Sequence, residues 1–111
     1  MELQAIGRRS LLNAAMNRRT LSSVDIRQIT FGPGRQTKRH KHPCPVVGYI
    51  AWGTAVFQIE GQPACELTEG CAFYEPADTV ILRFDNASAT ESLTFIACYL
   101  LDGQQEIIHM L

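Results

Sequence analysis

The chain has 111 residues, 46% of them hydrophobic and 19% charged, which excludes a disordered polymer and leaves room for one small core. No run reaches the roughly 18 to 20 apolar residues that span a bilayer, so a soluble protein with no membrane partner is expected. The net charge is only −1, yet nine of the ten basic residues fall in residues 1–41 and nine of the eleven acidic ones in residues 42–111.

Residues 1–22 read as an N-terminal arm, with Ser10–Met16 compatible with a short helix. Arg8-Arg9-Ser10-Leu11-Leu12 has the look of a twin-arginine start, but Asn13, Asn17, Arg18 and Arg19 interrupt the apolar segment that an export signal needs. A cytoplasmic location is therefore expected. Arg8, Arg9, Arg18 and Arg19 come without interleaved aromatics or a helix-turn-helix pattern, so no nucleic-acid partner is expected. The basic arm is instead expected to lie across the acidic remainder, its own or a neighbour's.

From residue 23 to residue 111 the chain reads as one all-β domain. Runs rich in Val, Ile, Phe, Thr and Tyr alternate with turn signals: Val24–Phe31 before Gly32-Pro33-Gly34, Val46–Trp52 before Gly53, and Ala55–Glu60 before Gly61. Cys65–Leu67 and Cys71–Glu75 follow, then Val80–Phe84 and Leu93–Leu101. Strands recurring at this spacing predict an antiparallel sandwich or barrel. Leu93–Leu101 is apolar on both faces, which a small antiparallel domain tolerates only where both are covered, so its outer face is expected to form a homodimer interface. The four cysteines, Cys44, Cys65, Cys71 and Cys98, show no paired spacing and are read as reduced thiols.

Two motifs carry the candidate chemistry. The first runs Gly34, five residues, His40-Lys41-His42, three residues, Val46, six residues, Gly53. The second runs Gly70, five residues, Pro76-Ala77-Asp78, two residues, Ile81, with Asp85-Asn86 beyond. This pair resembles the cupin family, whose motifs read G-x5-H-x-H-x3/4-E-x6-G and G-x5-P-x-G-x2-H-x3-N. The resemblance implies a double-stranded β-helix of jelly-roll type, in which three histidines and a glutamate bind one metal. Val46 stands where the glutamate would fall and Ile81 where the third histidine would fall. His42-Pro43-Cys44-Pro45-Val46 and Phe73-Tyr74-Glu75-Pro76 are similar to a group of short bacterial cupins that also carry the valine, whereas Asp78 and Ile81 depart even from that group.

His40 and His42, two apart on a strand, project from one face. Two imidazoles fall short of the three protein ligands that catalytic transition-metal sites generally use, and Glu75 and Cys44 are the candidates for an added ligand. If Pro76–Thr79 closes a hairpin, Tyr74 shares the face of Ile81 and Glu75 points away, unless a bulge at the proline reverses this. Arg83 lies two residues beyond Ile81 and so on its face, although Val80, Leu82 and Phe84 make an equally good apolar stripe that would turn Arg83 out. His109 is read as a surface or interface residue.

The expected ligand pocket is the lumen bounded by His40, His42, Val46, Tyr74 and Ile81, with Arg83 as an anion contact. Two functions follow. One is a dimeric barrel that binds a small organic ligand with weak metal or none. The other is a divergent metal-dependent oxygenase, isomerase or decarboxylase using His40 and His42 with Fe, Mn, Ni or Zn.

Overall fold

A computed structural model describes residues 5–111. Nine strands follow in chain order: β1 (Ser23–Phe31), β2 (His40–Lys41), β3 (Val46–Trp52), β4 (Ala55–Ile59), β5 (Cys65–Leu67), β6 (Ala72–Glu75), β7 (Ile81–Asn86), β8 (Leu93–Leu101) and β9 (His109–Met110). They form two antiparallel sheets, ordered β1-β8-β3-β6 and β5-β4-β7-β2-β9. This is the all-β barrel that the spacing of turn signals predicts, and the two longest apolar runs match β3 and β8 to the residue. The two-residue strands β2 and β9 are too short to leave a periodic signal.

Alternation builds the core. Leu93, Phe95, Ala97, Tyr99 and Leu101 are the buried face of β8, and Phe73 and Glu75 are the buried face of β6. Between the sheets the phenyl rings of Phe73, Phe84 and Phe95 meet at centroid distances of 4.5 to 6.2 Å, within the range in which edge and tilted contacts are favourable. Gly48 lets β3 pass this closely beside β8. A Cβ there would stand 1.9 Å from the Ile96 carbonyl oxygen.

Residues 5–22 form no regular element. The helix-compatible stretch Ser10–Met16 is irregular, as expected for a segment too short to pay for helix nucleation alone. Leu11, Leu12, Ala14 and Met16 instead face Tyr49, Tyr74, Cys98 and Leu100 on the outer face of the β1-β8-β3-β6 sheet. The chain's own arm thus gives β8 part of the outer cover that its sequence demands.

Candidate metal centre

Strand β2 carries His40 into the barrel, pairing it with Ile81 of β7 and Met110 of β9. His42 lies one residue beyond the strand on the same face, and both imidazoles are buried, with rings 5.1 Å apart. The second motif holds this segment in place: Asp78 N donates to the His42 carbonyl at 2.8 Å. Asp78 has φ 61°, the left-handed conformation in which the family pattern places glycine, and Asp is one of the few other residues that enters it readily.

The carboxylate comes from the neighbouring strand. Glu75 is the direct cross-strand partner of Val46, so the two side chains share the inner face. Glu75 is 4% exposed, and its Oε2 lies 3.5 Å from His42 Nε2. The hairpin expectation, in which Glu75 points away and Tyr74 points in, is corrected on this point. Strand β6 pairs with β3 and not with β7, and the Pro76–Thr79 segment crosses between sheets. Tyr74 accordingly faces outward beneath the arm.

Arg83 is turned out as well. Gln58 pairs with Arg83 but Ile59 pairs with Ile81, so Leu82 is an extra residue, and the bulge reverses the alternation. Ile81 is fully buried while the Arg83 side chain is 44% exposed and donates from Nε to Asp85 Oδ2 at 2.9 Å. Val46 and Ile81 are core residues beside the site, Cys44 is buried in the core outside the His40–His42–Glu75 group, and His109 is exposed. Burial pushes the Cys44 thiol up, which keeps it protonated and inert.

The hydrogen bonds of the two histidines fix their tautomers. His40 Nδ1 lies 2.8 Å from the Lys38 carbonyl oxygen and His42 Nδ1 2.5 Å from that of Ile107. A carbonyl oxygen only accepts, so both Nδ1 atoms carry hydrogen and both neutral rings present a bare Nε2 lone pair. Glu75 Oε2 is buried without a hydrogen-bond partner among the described residues. Its 3.5 Å approach to His42 Nε2 is longer than a good hydrogen bond, and it sets one acceptor against another. Only a proton or a metal cation between them makes the arrangement favourable.

The same environment favours a proton on His42 when no cation is bound. Burial works against the charged imidazolium, but the contact with Glu75, its negative charge and the Ile107 carbonyl outweigh it, and the His42 pKa is raised. Donor atoms of His40, His42 and Glu75 all lie within 4.8 Å of one another. Sequence reasoning missed Tyr99, whose ring centroid is 5.7 Å from that of His42 and whose pKa burial, aided by the charge of Glu75, pushes up to about 12. It also missed the Ile107 carbonyl, because a backbone acceptor leaves no signature in residue type.

The three donors open into a cavity of about 410 Å³, lined by Phe31, Phe84, Phe95 and Tyr99 and, at its mouth, by Arg35, Lys38, Ile108 and Met110. A two-sheet antiparallel barrel with an inward cluster of two imidazoles and a carboxylate defines a cupin-type barrel with a metal-type donor set. A model of the cupin domain matches residues 27–102, more than half of the chain, and the protein belongs to that family.

Among solved structures, the chain is similar to a cupin-like protein from Thermotoga maritima at 24% identity and a TM-score of 0.66, over 79% of this chain and 64% of that one. It is also similar to an RmlC-like cupin family protein with a double-stranded β-helix fold from Methanocaldococcus jannaschii at 25% identity and a TM-score of 0.61, over 69% of each chain. Oxalate decarboxylase from Bacillus subtilis is similar at 17% identity and a TM-score of 0.67, over 79% of this chain but 24% of that one. The present chain thus spans less than two thirds of the Thermotoga protein and about a quarter of the decarboxylase. No curated protein matches it.

Proposed function

We propose that this protein is a metal-dependent cupin in which His40, His42 and Glu75 hold one divalent cation, the carboxylate having moved from the family's β3 position to its cross-strand neighbour on β6. The observation that carries this reading is the buried, unpartnered Glu75 Oε2 facing the His42 Nε2 lone pair. Two imidazoles and a carboxylate are a known transition-metal ligand set that leaves coordination positions open for substrate, which favours Fe, Mn, Ni or Zn. A bound cation would supply Lewis acidity, polarising an oxygen of a small organic ligand in the cavity. The chain's own residues do the rest: Lys38 and Ile107 orient the imidazoles, Val46, Ile81 and the phenyl rings exclude water, and Tyr99 presents a protonated phenol. The reading includes a cytoplasmic homodimer.

Val46 and Ile81 at two of the family's ligand positions favour a second reading, a metal-free ligand-binding barrel. Metal analysis of protein purified without an affinity tag separates the two. Near-stoichiometric Fe, Mn, Ni or Zn, lost in Glu75→Gln and in His42→Ala, is the expected result. Absence of metal together with no uptake of added Zn(II) or Co(II) at micromolar concentration overturns the metal reading.

A further inference from the structure

The cavity has two chemically different ends. Its floor is aromatic: Phe31 meets Phe95 edge-on at 5.3 Å, and Phe84 lies against Phe95 at 4.5 Å. Rings so arranged leave faces and edges for another flat apolar body. Its mouth carries Arg35 and Lys38, both exposed and neither with an ion-pair partner among the described residues. Charges at the rim of a low-dielectric pocket raise the local concentration of the opposite charge.

The same cavity is lined by the metal-type donors and by Tyr99, whose ring lies beside His42 and whose hydroxyl has no hydrogen-bond partner among the described residues. The acidic side chain in the cavity wall is Glu75, which a divalent cation would neutralise.

We infer that the ligand of this cavity is a small organic anion with a ring-sized apolar body, its carboxylate drawn in by Arg35 and Lys38 and received by the Tyr99 hydroxyl beside the metal site, its body lying against Phe31, Phe84 and Phe95. The inference rests on the metal reading above, because the cation offsets Glu75. At about 410 Å³ the cavity lies at the small end of the range of about 300 to 1,000 Å³ typical of ligand sites. That size suits one ring with its substituents. Neutral ligands of the same shape forgo the rim charges, and short acids such as acetate forgo the aromatic floor.

The test is calorimetric titration of the full-length, Zn(II)-loaded protein with benzoate, benzamide and acetate as probes, alongside a separate Zn(II) titration of chelator-treated protein. Benzoate is expected to bind at least tenfold tighter than either of the others. Arg35→Ala combined with Lys38→Ala should weaken benzoate about fivefold or more and leave benzamide unchanged, and Tyr99→Phe should weaken benzoate about tenfold. Neither rim side chain is buried, so the double variant is expected to fold, and falling benzoate affinity at raised salt gives the same reading without mutation.

Benzamide within twofold of benzoate overturns the assignment of an anion, and acetate within twofold overturns the apolar body. Zn(II) uptake without any benzoate preference sinks this inference and leaves the metal centre standing. No Zn(II) uptake sinks the metal centre and this inference with it, since Glu75 then stands uncompensated in the cavity wall.

Discussion

At the scale of single residues, the pairing of His42 with Glu75 sets stability and function against each other. The His42 pKa is raised in the folded chain. Its pairing with Glu75 therefore stabilises the metal-free protein fully below the unfolded imidazole pKa of about 6.5 and is lost as pH rises through the raised folded value. Metal-free protein should melt at a lower temperature at pH 8.5 than at pH 6, and added Zn(II) should reverse that order, since the cation binds the neutral ring that high pH supplies. Melting curves at both pH values check this, and a metal-free Tm that rises with pH would contradict it.

Glu75→Gln removes a buried carboxylate and offers an amide donor to the His42 lone pair. At pH 8.5 it should stabilise the metal-free protein by about 1 kcal/mol, which is roughly 4 to 8 °C in Tm for a domain of this size. Metal uptake should be lost in the same variant. A destabilised Glu75→Gln protein that still takes up metal would show that Glu75 is a structural residue. Asp78, at φ 61°, gives a gain without a functional cost: Asp78→Gly should add about 0.5 to 1 kcal/mol by relieving left-handed strain, read as a shifted denaturant midpoint at unchanged slope.

At the scale of elements, the final Asp and Asn of the second motif are stitching residues. Asn86 donates through Nδ2 to the carbonyls of Gly32 and Glu91 at 3.0 and 2.8 Å and accepts from Ser88 N at 3.0 Å, while Asp85 accepts from Thr37 N at 2.9 Å. Together they fasten the β1–β2 connection, which delivers His40, to the end of β7. Asn86→Ala removes the side-chain partner of the Gly32 and Glu91 carbonyls and of the Ser88 amide, and it should cost about 1.5 to 3 kcal/mol. Chemical denaturation checks this, and a loss below about 1 kcal/mol would show that water replaces the network.

The longer strands were legible because period-2 burial writes itself into residue type over five or more positions, and the His40–His42 projection was legible from the H-x-H spacing within the two motifs. The facing of Tyr74, Glu75 and Arg83 was not. It depends on which sheet β6 joins and on one extra residue at Leu82, and neither the long-range pairing nor the bulge alters the local pattern. Val46 and Glu75 lie 29 positions apart in the sequence, so their adjacency follows only from the β3–β6 register.

At the scale of the whole molecule, the question is what covers the outer face of the β1-β8-β3-β6 sheet. The sequence asks for cover over β8, and the arm supplies part of it at Tyr49, Tyr74, Cys98 and Leu100. The arm does not reach all of the face, because Val24 and Ile26 on the same side of edge strand β1 remain 55% and 66% exposed. An edge strand with an unpaired backbone and two exposed β-branched residues is a surface that another chain readily joins.

The proposed homodimer is therefore expected to form through β1, with the basic arm set against the acidic barrel of its partner or its own. A stable dimer of this kind would bury on the order of 1,200 to 2,000 Å² in total. Sedimentation at micromolar concentration should show two chains. Ile26→Lys should give a monomer, and because this exposed side chain holds nothing within its own barrel, the substitution should change monomer stability by no more than about 0.5 kcal/mol. A wild-type monomer would refute the dimer outright. An Ile26→Lys protein that stays dimeric would move the interface from β1 to the other edge of the sheet at β6, where Tyr74 and the arm already meet.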